Sequence, residues 1–291
     1  MTDAPFYEFS PLPAPDGRPP VTDDFDIREY TRTAAGSHEK TLPLEAFAEH
    51  PLSNRTLMAL DYLRDLEDFT MHHMRDVLVT PSHKDARLTA FLATWAYEKF
   101  WIADAFDRIL NAHPDFTPAA IRSRPRVIRF AREAIDRVSP IVTALRSNLI
   151  GEDFISIHVT RGYIDELVSR VTYSQLALHD PNPALEEVLN GFQLLRDRHL
   201  HFFAGESLRR LEESVSARTL TRSSLKRSWA PTGTHEQPIQ ETRLMMTNLF
   251  SDAEGHAGIA RIDSVVDSLP GLRGLAVMSR AARRYGVKAT A

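Results

Sequence analysis

Five residues of the types that bind metals or transfer protons fall on the apolar faces of predicted helices. Each one interrupts a stripe of apolar residues with helical spacing, so its side chain is expected to face the interior of a bundle. Burying an unpaired charge is costly, but two carboxylates and two cations in one layer could neutralise one another. The alternative for each residue alone is that its side chain reaches from the edge of the stripe to water. The five residues are Glu67, Lys99, Glu166, Arg196 and His199.

These residue types allow catalysis without a metal. Glu67 and Glu166 are candidate acid/base groups. Lys99, Arg196 and His199 could tune the pKa of these carboxyls or hold an anionic substrate. The competing interpretation is a purely structural cluster of salt bridges. The spacing assigns Glu98 most simply to a solvated face, and the alternative is that it lines a cavity. The pair His72-His73 is adjacent, so its side chains point to different faces, and we assign them to surface or supporting positions.

The elements that would position these residues are helices throughout. No stretch alternates with period two, so the predicted fold class is all-α. Residues 1–45 contain many of the prolines and no sustained periodicity, which predicts an extended, partly disordered N-terminal arm on a single helical domain, 46–288. The predicted long helices are a segment from the N-cap Ser53 to Leu78, Asp85–Ala112, 118–149 with breaks near Pro125 and Pro140, Asp153–Leu178, and a segment from Pro183 past Leu211 with a break at Gly205. Shorter helices are predicted at 216–230, 240–250, 255–267 and 272–285.

Composition excludes several classes of function. The chain has 291 residues, a net charge of -4 and no cysteine, so we expect no disulfide, no thiolate zinc site and no nucleic-acid partner. No apolar run approaches the roughly 20 residues that span a bilayer, and no secretory signal is evident, so a cytoplasmic protein is expected. Arginine greatly outnumbers lysine, which favours a GC-rich bacterial source.

Four stretches carry a resemblance to a known family. They are Tyr62-Leu-Arg-Asp-Leu-Glu67, Phe91-Leu-Ala-Thr-Trp-Ala-Tyr-Glu-Lys-Phe-Trp-Ile102, Gly151-Glu-Asp-Phe154 with Gly162-Tyr-Ile-Asp-Glu166, and Arg198-His-Leu-His-Phe-Phe203. Over about 57–280 the chain resembles bacterial ferritin-like proteins related to acyl-carrier-protein desaturases and other carboxylate-bridged di-iron proteins. The resemblance implies a ferritin-like four-helix bundle with additional C-terminal helices.

The same resemblance implies that the metal site is degenerate. Such proteins bind two irons with one Glu from each of two helices and a Glu-x-x-His pair from each of the other two. Glu67 and Glu166 match the single glutamates. Lys99 and Ile102 stand where one Glu-x-x-His pair is expected, and Arg196 and His199 stand at the other. We therefore expect no cofactor and a metal-free polar centre, with iron as the alternative.

Three functions remain open at this point. The first is metal-independent catalysis on, or binding of, an apolar small molecule in a bundle cavity lined by Trp95, Phe106, Tyr163 and Phe192. The second is a structural or interaction protein that partners an active family member. The third is a di-iron or mononuclear oxygenase or desaturase whose unusual ligands come from Glu67, Glu98, Glu166, His199 and His201. Bundles of this kind often dimerise along a long helix, so a homodimer is also expected from the resemblance.

Overall fold

The fold of the protein is all-α, as the sequence predicts. The computed structural model describes residues 25–78, 80–117, 151–231, 234 and 237–288. These residues form ten α-helices and no strand. The helix predicted at 118–149 and the first part of the predicted arm, 1–24, lie outside the described residues.

The helices agree closely with the apolar periodicity of the sequence. One prediction is wrong, because no helix break occurs at Gly205: the sixth helix runs through this residue without interruption. In chain order the helices are α1 (Ile27–Arg32), α2 (Leu44–Glu49), α3 (Asn54–Leu78), α4 (Ala86–Asn111), α5 (Ile155–His179), α6 (Pro183–Glu213), α7 (Val215–Ser228), α8 (Ile239–Phe250), α9 (Ala253–Ser268) and α10 (Val277–Arg284), with 3₁₀ turns at Pro81–Lys84 and Gly151–Phe154.

Side-chain caps explain where the long helices begin. The hydroxyl of Ser53 accepts a hydrogen bond from the amide of Thr56 at the start of α3. The carboxylate of Asp85 accepts from the amide of Leu88 at the start of α4. Asn182 caps α6 in the same way, and a proline follows it at the first helical position. Each cap satisfies backbone donors that have no partner inside the helix.

Helices α3 and α4 form one antiparallel pair, and α5 and α6 form a second. The amide of Leu52, just before α3, donates to Nε2 of His113, just after α4, over 3.0 Å. The amide of Ser53 donates to Asp180, just after α5, over 3.1 Å. The beginning of α3 therefore lies at the same end of the bundle as the last turns of α4 and α5.

The opposite end of the bundle is fixed by α6. Arg210, near the end of α6, donates to Asp85 at the start of α4 over 2.6 Å. Helices α3 and α6 therefore run in one direction, whereas α4 and α5 run in the other. Residues 117 and 151, which follow α4 and precede α5, consequently lie at opposite ends of the bundle.

Shorter helices cover the outside of the bundle. Within the predicted extended arm, α1 is helical; it packs against α4, as does α2, which begins at the end of the arm. Helices α7, α8 and α9 pack against α5, and α10 packs on α9. The carboxylate of Asp263 in α9 accepts hydrogen bonds from the amides of Met278 and Ser279, which holds the first turn of α10. Across the described ranges, no helix combines the length and apolar character that a bilayer crossing needs.

Candidate functional site

The four long helices bring four of the predicted charged residues to one layer of the interior. Glu67 comes from α3, Lys99 from α4, Glu166 from α5 and Arg196 from α6. Their exposed fractions are 3%, 4%, 1% and 0%, so these side chains do not reach water. We call these four residues the charge ring.

The charge ring alternates carboxylates and cations. Nζ of Lys99 lies 2.7 Å from Oε2 of Glu67 and 3.0 Å from Oε1 of Glu166. On the other side, Nη1 of Arg196 donates to Oε2 of Glu166 over 2.6 Å, and Nη2 donates to Oε1 of Glu67. Each cation thus bridges both glutamates, and each of the four carboxylate oxygens faces a cation.

Two neutral side chains add hydrogen bonds to the charge ring. The hydroxyl of Tyr173 donates to Oε1 of Glu67 over 2.8 Å and accepts from Nη2 of Arg196 over 2.6 Å. The guanidinium carbon of Arg196 also lies 4.3 Å from the centre of the Tyr173 ring. The indole N–H of Trp95 donates to Oε1 of Glu166 over 2.8 Å. Such pairing offsets the cost of burying the four charges. The exception is Nε of Arg196, which is buried without a hydrogen-bond partner among the described residues.

The environment of the charge ring keeps its two glutamates charged and the neighbouring Tyr173 neutral. Burial alone would raise the pKa of Glu67, but Arg196 and Lys99 outweigh burial and lower this pKa. Burial is likewise outweighed at Glu166, whose pKa Lys99 and Arg196 lower well below the usual value. Burial raises the pKa of Tyr173 well above its usual range. A general acid or base works best with a pKa near the working pH. The shifts move the pKa values of all three groups further from pH 7.

A further buried carboxylate, outside the charge ring, belongs to Glu98, which the sequence assigned to a solvated face. That assignment is wrong, because the exposed fraction of Glu98 is 0%. Its carboxylate bonds to Nε2 of His199 over 2.7 Å. It also accepts from the hydroxyl of Tyr30 over 2.8 Å and from the amide of Ala35 over 2.9 Å. We call Glu98, His199, Tyr30 and Ala35 the tether site, because it holds the segment 25–36 on α4.

His199 connects the tether site to the charge ring. Its Nε2 faces Glu98, and its Nδ1 lies 3.6 Å from Oε2 of Glu166. Burial would raise the pKa of Glu98, but the hydrogen bond and charge of His199 lower it below the usual value. Burial and the neighbouring Glu98 raise the pKa of Tyr30 well above its usual range, so its hydroxyl remains a donor.

The residues at the centre of the bundle do not fit a di-iron site. Lys99 and Arg196 lie between the two carboxylates, in contact with all four of their oxygens. A divalent ion at this point would meet two cations at short range. In the described part of the chain, no group of three or more His, Cys, Asp or Glu side chains is arranged to hold a metal ion. His201, a predicted alternative ligand, packs its ring 5.4 Å from that of Phe25.

The aromatic residues predicted to line a cavity are all buried, but two of them pack on each other. The rings of Phe106 and Phe192 meet edge to face with their centres 5.5 Å apart. Tyr163 has an exposed fraction of 0%. Trp95 does line a small cavity, together with His73 and His158. His73 was predicted to take a surface or supporting position, and His158 was not predicted to have a role.

No family model, curated protein or solved structure matches this chain. Its function can therefore be proposed only from its own residues.

Proposed function

We propose that this protein is a metal-independent, ferritin-like structural or interaction protein. In this proposal Lys99 and Arg196 supply the positive charge that two divalent irons supply in the proteins the chain resembles. The observation that carries the proposal is the closed charge ring, in which each cation bridges Glu67 and Glu166. The bundle then acts through the surface it presents to a partner, and the ring holds its four helices together.

The order of helix directions supports the ferritin-like part of the proposal. Helices α3 and α6 run in one direction and α4 and α5 in the other, with residues 117 and 151 at opposite ends of the bundle. Ferritin-like bundles are characterised by one long crossover connection between their two helix pairs. An up-and-down bundle with only short loops would instead bring the end of α4 next to the start of α5.

Charge balance supports the metal-independent part. A reduced di-iron site sets four carboxylates against two divalent ions. The charge ring sets two carboxylates against two monovalent cations, so it is neutral without a metal. A metal that entered would have to displace Lys99 and Arg196, and it would leave both cations buried without partners.

The pKa shifts favour a structural role over an acid/base role. Both carboxyls of the charge ring have lowered pKa values despite burial, because the two cations outweigh it. Their oxygens are also occupied by hydrogen-bonding partners, so a substrate would have to compete with Lys99 and Arg196. This arrangement argues against a catalytic role for these side chains. Such a role stays a prediction for Glu67, Lys99, Glu166, Arg196 and His199.

Metal analysis of protein produced with added iron tests the proposal. We expect the wild type to contain iron well below stoichiometric amounts, and we expect chelators to leave its thermal unfolding unchanged. The triple variant Lys99→Glu, Ile102→His, Arg196→Glu rebuilds both Glu-x-x-His pairs in this register. It is expected to acquire iron-binding capacity near two ions per chain, measured by elemental analysis after reconstitution.

A charge-matched variant controls for non-specific iron binding. Lys226 and Arg227 are exposed on α7, so Lys226→Glu with Arg227→Glu changes the net charge by the same amount outside the bundle core. This variant should bind no more iron than the wild type. Wild-type protein that holds two irons would overturn the metal-independent assignment. A folded triple variant without iron affinity would instead overturn the ferritin-like register.

A further inference from the structure

A small cavity lies between α3, α4, α5 and α6, beside the charge ring. Trp95 separates the two, since it lines the cavity while its indole N–H bonds Glu166. The other walls are largely apolar and include Leu92 and Phe203. The space is about 10 Å³, enough for a single small occupant such as one water molecule or one monatomic ion.

The polar groups of this cavity are two histidines on different helices. His73 comes from α3 and His158 from α5. Nε2 of His158 is buried and, among the described residues, has no hydrogen-bond partner. A buried polar atom without a partner costs free energy, so its persistence beside a cavity points to an occupant that bonds it.

Neighbouring charge decides the sign of that occupant. Arg161 lies about one helical turn after His158 on α5. Its guanidinium donates a hydrogen bond to the hydroxyl of Ser224. Burial and then Arg161 lower the pKa of His73 to about 4, and burial, His73 and Arg161 lower that of His158 to about 3. Both imidazoles are therefore neutral near pH 7, and the charge of Arg161, which itself interacts with the carboxylate of Asp165, acts on both.

A divalent cation is the less favourable occupant. Among the described residues, no carboxylate lines the cavity, and the positive charge of Arg161 acts on both imidazoles. An anion instead gains from that charge and accepts from the imidazole N–H groups. The charge ring is neutral overall, so it does not oppose a nearby anion.

We propose that the cavity between His73 and His158 binds one small monovalent anion, of which chloride and bromide are the probes. In the tautomer that carries the proton on Nε2, His158 donates to it, the charge of Arg161 favours it, and the apolar walls limit its size. This site lies outside the charge ring, and its existence does not depend on the proposed function of the protein.

Thermal unfolding at constant ionic strength tests the proposal in solution. Sodium chloride or bromide replaces sodium gluconate, whose anion is too large for the cavity. We expect both halides to raise the unfolding midpoint with a saturating dependence on concentration, because a ligand of the folded state stabilises it by mass action. The variant His158→Leu should lose this halide dependence. His50 is exposed, so His50→Leu is the matched control and should retain it.

Crystals of the wild type soaked in bromide provide a test that needs no variant. An anomalous peak within hydrogen-bonding distance of Nε2 of His158 is the expected result. A cavity that holds only water in these crystals would overturn the proposal. Halide stabilisation that does not saturate, or that is equally large in His158→Leu, would also overturn it, because it would reflect general salt effects.

Discussion

The charge ring and the histidine cavity lie next to each other in one bundle, yet they treat buried polar atoms in opposite ways. In the charge ring, each carboxylate oxygen faces a cation, and Tyr173 and Trp95 add further hydrogen bonds. In the cavity, Nε2 of His158 is buried without a partner among the described residues. Carboxylates whose oxygens all face cations mark a site that holds the fold together, whereas an unpartnered ring nitrogen beside a cavity marks a site that can accept a ligand.

The difference has an energetic consequence. Removing one member of a buried ionic cluster leaves an uncompensated charge, which typically costs about 3–5 kcal/mol. Replacing a polar group that already lacks a partner by an apolar group of similar shape can be nearly neutral. The two regions should therefore respond very differently to equally conservative substitutions.

The largest effect is expected for removal of one cation from the charge ring. In Lys99→Met the apolar stem is retained and the charge is lost, which leaves Glu67 and Glu166 to share Arg196. We expect the free energy of unfolding to fall by about 3–5 kcal/mol, measured by urea denaturation. Lys226 is exposed on α7, so Lys226→Met provides the control.

The control substitution should change stability by no more than about 0.5 kcal/mol, as is usual at exposed positions. Similar losses in Lys99→Met and Lys226→Met would mean that the charge ring contributes little, and the contrast with the cavity would disappear. A loss confined to Lys99→Met supports a ring whose members depend on one another.

An intermediate effect is expected at the tether site, where Glu98 is paired but lies outside the charge ring. Tyr30→Phe removes one hydrogen bond to a buried carboxylate, and its ring can still stack on Phe91, 5.2 Å away. Hydrogen bonds to charged groups contribute about 1.5–3 kcal/mol, and the unfolding free energy should fall by that amount. Tyr97→Phe, at a tyrosine of α4 with 43% exposure, should leave the free energy of unfolding unchanged.

Limited proteolysis separates the tether from a general loss of stability. If Tyr30 holds the segment 25–36 on α4, a protease should cleave this segment faster in Tyr30→Phe than in the wild type. The comparison is made in buffer without denaturant, at a pH where the bundle remains folded. Unchanged cleavage would show that Ala35 and the packing of α1 hold the segment without Tyr30.

The sequence predicted the helices well because their ends depend on local signals. Ser53, Asp85 and Asn182 cap helices through side chains within three residues of the amides they bond. The stripes of apolar residues also placed Glu67 and Arg196 in the interior, since a charge within a long stripe has no route to solvent. Gly205 misled the prediction because helix packing outweighs the propensity cost of one glycine.

The tether site and the cavity could not be predicted because their partners come from remote parts of the chain. Glu98 lies one step from Lys99, and one step along a helix turns a side chain by about 100°, away from the bundle axis. Its carboxylate is bonded by Tyr30 and Ala35 of the segment 25–36, which has no sustained periodicity that would predict its position. His158 has no sequence signal, since the cavity that it lines also needs His73 and Trp95 from two other helices.

The smallest change in unfolding free energy is expected at the cavity. The comparison is most direct here, because the same substitution, His to Leu, can be made in both regions. His158→Leu removes an imidazole whose Nε2 has no partner, and His199→Leu removes one that lies between Glu98 and Glu166. In halide-free gluconate buffer, His158→Leu should change the unfolding free energy by less than about 1 kcal/mol, whereas His199→Leu should lower it by about 1.5–3 kcal/mol. Urea denaturation of both variants measures the difference. Equal losses would mean that the imidazole at 158 is needed for packing, because its hydrogen-bonding capacity could not then distinguish it from His199.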